Sequence, residues 1–186
     1  DLLLKYGKKV LSYEVDVSNE NEVIDGVKKV LSDFGRIDCA FANAGINIFG
    51  GSFEEMNTEA YRKVLAVNLD GVFFTLRETI KHMVERSKNG DAGGSVVGVA
   101  SLAGIEGAAK TQPYSSSKGG VISMIKGIAV EHARYGIRAN TILPGWIATE
   151  MTSINQSNHK FTDRVISRVP MLSLIHISEP TRHSRI

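Results

Sequence analysis

The 186-residue chain contains a single cysteine, Cys39. No intrachain disulfide can form, so a disulfide-stapled secreted framework is excluded, and a reducing compartment, the cytoplasm, is the expectation. Cys39 lies in an apolar run and is expected to be a buried packing residue. Histidine is sparse, with 5 in the chain, and none has ligand-like spacing, so no metal site is expected. Long apolar runs are missing. The longest, around residues 96–105, is far short of the ~20 residues that cross a bilayer, and no signal peptide opens the chain. Excess charge is missing too. The formal net charge is +2, and no basic stripe is interleaved with aromatics, so neither a membrane nor a nucleic acid is indicated as a partner.

What remains is the composition of an ordinary globular domain, with enough chain for a core. Residues 10–15 alternate weakly and, with Val10 and Val15, are β-branched enough to suit a strand ended by Asp16-Val17-Ser18. Ser18 could cap a helix with Val23, Ile24, Val27, Val30 and Leu31 at helical spacing, up to Phe34-Gly35. Residues 37–42 form a short apolar run of the kind found in buried parallel strands, closed by Asn43-Ala44-Gly45. Asn57 or Thr58 caps a long helix that passes through Asn68 to Met83. Further strands are expected at 95–100 and 137–143, with an apolar helix over 112–135 between them. Residues 151–169 are polar and irregular, with a helix possible in their middle. Strands alternating with helices in this way predict an α/β parallel sheet. In open α/β sheets ligands bind at the carboxyl ends of the strands, which is where Asp16, Asn43, Ser101 and Pro144 fall.

The chemically telling stretch is Tyr114-Ser115-Ser116-Ser117-Lys118. A tyrosine and a lysine four apart share one helix face. An ammonium beside a phenol lowers the phenol's pKa, and a phenol tuned in this way can act as a general acid or base. Ser101, 13 positions upstream at a strand end, could hold the oxygen being protonated or deprotonated. The set reads as carbonyl/alcohol redox chemistry. Taken alone, the Tyr-Lys pair is equally an exposed helix with a snorkelling lysine.

With Asp16-Val17, Asn43-Ala44-Gly45, Asn68 in Val67-Asn68-Leu69, Ser101, Tyr114-x-x-x-Lys118 and Pro144-Gly145-Trp146-Ile147-Ala148-Thr149 in this order and spacing, the chain resembles the short-chain dehydrogenase/reductase family in its single-domain form. The resemblance implies an NAD(P)-dependent oxidoreductase with a small carbonyl or alcohol substrate and NAD or NADP as cofactor. It implies that Tyr114 exchanges a proton with the substrate oxygen, Lys118 tunes the tyrosine and meets the nicotinamide ribose, Ser101 polarises the carbonyl, and Asn68 holds a relay water. Asp16 and Val17 would meet the adenine, and Asn43, Ala44 and Gly45 the cofactor backbone. The turn Pro144-Gly145, the Ile147 backbone and the Thr149 hydroxyl would meet the carboxamide end. Each also has a plainer reading: Asp16 as a turn residue, Gly45 and Pro144-Gly145 as turns, Asn68 as a helix asparagine bonded to backbone, Ser101 as a cap. Ala42 stands where many relatives carry a second asparagine. Ile46, Asn47, Leu102, Gln112, Trp146 and Met151 are candidate substrate-pocket residues, with Trp146 and Met151 equally readable as packing. Two other functions stay open: a nucleotide-sugar epimerase or dehydratase using the same Tyr and Lys, and a non-catalytic cofactor-sensing module. Relatives assemble through two long helices, here 58–85 and 112–135, so the parent protein is expected to be a homotetramer or homodimer.

Neither Gly-x-x-x-Gly-x-Gly nor Gly-x-Gly-x-x-Gly occurs in the chain. That loop, at a helix N-terminus, cradles a pyrophosphate. The resemblance therefore implies a partial Rossmann-like doubly wound parallel sheet lacking strands 1, 2 and 7 of the family order 3-2-1-4-5-6-7. Residues 172–186 resemble the translation of a sequencing-library adapter, so the domain is expected to cover 1–171, followed by a non-native tail. Strand 3 (residues 10–15) would stand about 14 Å from strand 4 (37–42), at ~4.8 Å per gap. It is expected either to detach or to re-pair beside strand 4. The chain by itself is expected to bind NAD(P)H poorly and to lack activity.

Overall fold

The computed structural model describes residues 10–49, 51–147, 149, 152, 163 and 165–167. Strands β1 (Cys39–Ala42), β2 (Gly94–Val99) and β3 (Ile137–Ile142) form a three-stranded parallel sheet in the order β1-β2-β3. The register places Ala40 opposite Val96 and Val96 opposite Ala139, so these three point to one face. Helix α1 (Glu20–Phe34) precedes β1. Helix α2 (Thr58–Leu65), a π turn (Ala66–Asp70) and helix α3 (Gly71–Lys88) connect β1 to β2. The short helix α4 (Ala103–Glu106) and the long α5 (Gln112–His132) connect β2 to β3.

The core lies on one face of this sheet. Ala40, Ala42 and Val96 are buried against Val72, Leu76, Ile80 and Met83 of α3 and against Val121 and Ile125 of α5. The valine, leucine, isoleucine and methionine side chains among these contribute about 1.5–3 kcal/mol each when fully buried. Gly94 and Gly98, four apart on one strand, share that face. A Cβ on Gly94 would lie 2.5 Å from the Met83 sulfur, and one on Gly98 would lie 3.0 Å from two Ile125 carbons. The two glycines are where α3 and α5 descend side by side onto β2.

The opposite face reads differently from the expectation of a strand buried on both sides. Cys39 and Phe41 are exposed, as is Ile142 on β3. Cys39 is therefore not the buried packing residue its apolar surroundings predict. It occupies the outer strand and alternates away from Ala40 and Ala42, and no described helix fills the space beside it.

Residues 10–15 do not form the predicted strand. A strand exists by virtue of its ladder, and this segment has no described strand beside it. It is detached from the sheet, one of the two arrangements expected, and is held to α1 by side chains. The Tyr13 hydroxyl donates to Asp33, a bond that pushes the phenol up to about 12. Lys29 Nζ sits 4.9 Å from the Tyr13 ring centroid, and Val15 packs where a Gly26 side chain would be. Between this segment, α1 and β1 lies an apolar cavity of about 340 Å³ lined by Val15, Val23, Val27, Cys39 and Phe41 among others.

Local signals set the helix ends. The cap of α1 is Asn19 rather than Ser18: its side chain accepts from the backbone N–H of Asn21 and Glu22, while the Ser18 hydroxyl turns to Asp16. Gly35, at φ 76°, ends α1 in the left-handed conformation that costs glycine least. Of the two caps expected there, Asn57 and not Thr58 caps α2. The long helix expected from there is broken by the π turn, a feature without a sequence period of its own. The helix α5 and a following 3₁₀ turn (Ala133–Tyr135) together match the expected 112–135.

Candidate active site

The expected site residues gather at the carboxyl edge of the sheet. Asn43, Ala44 and Gly45 leave β1, Ser101 follows β2, and Pro144, Gly145 and Ile147 follow β3. Tyr114 and Lys118 occupy the first turns of α5, and Asn68 sits in the π turn. Pro113 is the second residue of α5, where its missing N–H costs no helical bond.

Lys118 is 3 % exposed, so its charged group sits inside the protein. Its Nζ donates to the Val99 carbonyl at 2.7 Å and lies 5.6 Å from the Tyr114 ring centroid. Burial pulls its pKa down to about 8, because the ammonium loses hydration. The snorkelling alternative is thereby excluded. Gly45 faces the same spot: a Cβ there would lie 3.2 Å from Lys118 Nζ and 3.4 Å from Asn68 Oδ1. Glycine at 45 keeps open the approach to the lysine from β1.

Asn68 is fully buried and fully hydrogen-bonded. Its Oδ1 accepts from the Ile46 N–H at 2.8 Å, and its Nδ2 donates to the Ile46 carbonyl at 2.9 Å and to Ser117 Oγ at 3.2 Å. The side chain thus pairs with the backbone after β1 much as a neighbouring strand would, and holds the segment that leaves β1 at Ile46. The π turn makes this possible by adding one residue to the helical circuit and so re-aiming the side chain.

Ser101 caps the turn after β2: its Oγ accepts from the Ala103 N–H at 3.2 Å. Accepting that bond leaves the hydroxyl proton to point elsewhere. The loop is tied to the exit of β3, because Ala100 N–H donates to the Ile142 carbonyl and Leu102 N–H to the Pro144 carbonyl. Gly104 then presses α4 against α5. A Cβ there would come within 2.8 Å of Gly119 N and of the Lys118 carbonyl carbon. Farther out, Thr152 Oγ accepts from Thr149 N–H and donates to the Ile147 carbonyl, which shapes the segment after Pro144-Gly145.

Asp16 and Val17 approach from the other side. Ser18 donates to the Asp16 carboxylate from both backbone and hydroxyl, which holds that carboxyl below its ordinary range. Val17 fills the space over Gly71, where an added Cβ would meet its side chain at 2.9 Å. A cavity of about 150 Å³ joins Val17 to Asn43, Ala44 and Gly71. Of the expected substrate-pocket residues, Ile46 is clamped by Asn68, and the buried Asn47 Oδ1 and Gln112 Oε1 find no hydrogen-bond partner among the described residues. Leu102 and Trp146 are exposed, and Met151 lies outside the described residues. Among the described residues no cluster of acidic, histidine or cysteine side chains could hold a metal ion. Sequence reasoning missed Ser117, Thr152 and the Gly104–Gly119 contact. Ser117 was within reach, since a serine three residues after Tyr114 on a helix can bond back to its carbonyl.

A three-stranded parallel sheet flanked by helices, with its polar residues gathered at the carboxyl edge, defines a Rossmann-like α/β domain. A family model described as "Enoyl-(Acyl carrier protein) reductase" matches residues 1–182. The chain is 34% identical over 167 residues to 2-(R)-hydroxypropyl-CoM dehydrogenase of Xanthobacter autotrophicus, covering 89% of this chain and 65% of that protein. It is 40% identical over 143 residues to levodione reductase of Leifsonia aquatica, covering 77% of this chain and 52% of that one. The solved structure of ElxO with NADP bound is similar with a TM-score of 0.82 at 32% identity, covering 94% of this chain and 68% of that chain. Two other similar solved structures hold NADH and NAD+. The chain belongs to the short-chain dehydrogenase/reductase family. It spans less than two thirds of the length of both curated relatives named here.

Proposed function

We propose that the chain carries the proton-handling site of an NAD(P)-dependent oxidoreductase that interconverts an alcohol and a ketone or aldehyde. The observation that carries this reading is Lys118, an ammonium buried beside Tyr114 with its pKa pulled to about 8. Burying a charge is costly, and a fold that does so at the carboxyl edge of a parallel sheet uses it.

In reduction, the Tyr114 hydroxyl gives its proton to the carbonyl oxygen, and in oxidation it takes the proton back from the alcohol. Lys118 places its ammonium beside the Tyr114 ring, on the side of the helix where the proton is exchanged. Ser101 already accepts from Ala103, so its own proton can be donated to the substrate oxygen and orient it. Asn68 fixes the turn after β1, and its place beside Gly45 and Lys118 suits a relay between the lysine and solvent.

The residues present fit a nicotinamide cofactor. Gly45 leaves room against Lys118, and the cavity between Val17 and Asn43-Ala44 gives an adenosine end a wall on each side. Asp16, Val17, Asn43, Ala44, Gly45, Tyr114, Lys118, Pro144, Gly145, Ile147 and Thr149 would hold it. When bound, the cofactor supplies or accepts the hydride. NADP in one relative and NADH or NAD+ in others support either nucleotide for this chain. We further place the domain at residues 1–171, with a non-native tail after it, and the whole protein in the cytoplasm as a homodimer or homotetramer. Among the described residues no helix is long and apolar enough to cross a membrane.

The test uses the whole protein with NADH or NADPH and a panel of carbonyl compounds, following nicotinamide absorbance. Tyr114→Phe is expected to lower kcat by about 10²–10⁴-fold while cofactor binding, read by fluorescence, is kept. A Tyr114→Phe variant with unchanged turnover would overturn the reading.

A further inference from the structure

We propose that Ser117 is a positioning residue that couples Asn68 to the Tyr114–Lys118 helix, so that the turn after β1 and the proton-handling pair move as one unit. The inference rests on the functional reading above and deepens it.

Ser117 is fully buried, one residue before Lys118 and three after Tyr114. Its hydroxyl donates to the Tyr114 carbonyl at 2.7 Å and accepts from Asn68 Nδ2 at 3.2 Å. The direction of these bonds is forced. The Tyr114 carbonyl can only accept, so the serine proton is committed to it, and the oxygen lone pairs are left facing Asn68. Asn68 in turn has both amide protons committed, one to the Ile46 carbonyl and one to Ser117. The result is one continuous chain, from Ile46 backbone through the Asn68 amide and the Ser117 hydroxyl to the Tyr114 backbone.

Among the described residues this is the one side-chain hydrogen bond that joins the Ala66–Asp70 turn to α5. Apolar packing also joins them, since Leu69 contacts the position of a Gly120 side chain at 2.9 Å, but packing fixes separation better than rotation. The hydrogen bond fixes rotation. It sets the angle of the Asn68 amide plane and the azimuth of α5, and both bear on where Lys118 Nζ lies relative to Gly45. With alanine at 117, one N–H of the fully buried Asn68 loses its acceptor, a loss that the amide relieves by turning away from its present plane. Ser117 itself has no access to a ligand in this arrangement, so its action passes through Asn68.

The experiment is a double-mutant cycle on the whole protein: Ser117→Ala, Asn68→Ala and the pair, with Tyr114→Phe as reference. Single-turnover runs with enzyme in excess keep slow rates readable. Ser117→Ala is expected to lower the rate about tenfold with little change in the KM for the nicotinamide nucleotide. In the Asn68→Ala background it is expected to have no further effect, because the interaction it serves is gone. A serine that merely stabilises the fold would lower the rate by the same factor in both backgrounds, and that additivity overturns the proposal. A Ser117→Ala rate equal to wild type overturns it as well. Full activity in Tyr114→Phe would instead overturn the underlying functional reading, and the proposal with it.

Discussion

Lys118 is the residue at which stability and function pull apart. Its pKa of about 8 lies below the ordinary lysine value of 10.5, so the unfolded chain binds its proton more tightly than the folded one. Stability therefore rises with pH between those two values, and the full cost, about 3 kcal/mol, applies below the lower one. Lys118→Met is expected to abolish turnover yet raise the unfolding free energy by about 1–3 kcal/mol at neutral pH. That advantage should shrink as pH approaches 10.5, as measured by denaturant titration across pH. A second residue-scale expectation concerns Gly45. Gly45→Val would place a side chain against Lys118 Nζ and Asn68 Oδ1, and is expected to weaken nicotinamide binding more than it lowers Tm. At this scale much was legible. The four-residue spacing of Tyr114 and Lys118, and the position of Ser101, follow from helix period and strand end. The Asn68–Ile46 and Ser117–Asn68 bonds were not legible, because they join residues 22 and 49 positions apart.

Among the elements, the short helix α4 matters beyond its length. Gly104 lets its backbone touch that of Lys118 and Gly119, so the loop bearing Ser101 is indexed to the helix bearing Tyr114. Gly104→Ala must push these backbones apart. It is expected to cost about 1–3 kcal/mol, seen as a lower Tm, with a fall in kcat because Ser101 moves relative to Tyr114. The helix ends show how local chemistry competes. Both Ser18 and Asn19 are good caps, and Asp16 decided between them by engaging the Ser18 hydroxyl. The π turn was hidden for a related reason. Apolar residues on either side keep a helical period, and the inserted residue shows only as a shift of phase at Asn68.

At the scale of the whole molecule, the sheet leaves Cys39, Phe41 and Ile142 exposed. The 186-residue polypeptide is expected to expose the Cys39 thiol to a water-soluble maleimide under native conditions, as read by mass spectrometry. With Phe41 at 54% exposure on an outer strand, it is also expected to associate with rising concentration, as light scattering would show. That the strands are parallel was readable from the alternation of elements, because parallel strands require helical crossovers, whereas their order β1-β2-β3 was implied only by the family resemblance. Whether residues 10–15 would be a strand was not readable, because strand character depends on a neighbour that the segment itself does not encode.

The sequence by itself determined the local and periodic features: the helices, the cap at Asn57, and the Tyr114–Lys118 spacing that points to proton transfer. Each follows from interactions a few residues long. Tertiary structure decided which of those residues meet. It buried Lys118 and lowered its pKa, turned Asn68 onto Ile46, seated Ser117 between Asn68 and Tyr114, and left residues 10–15 beside α1 instead of in the sheet. These depend on distant segments being brought into contact, and on the desolvation that contact produces, which no local pattern contains.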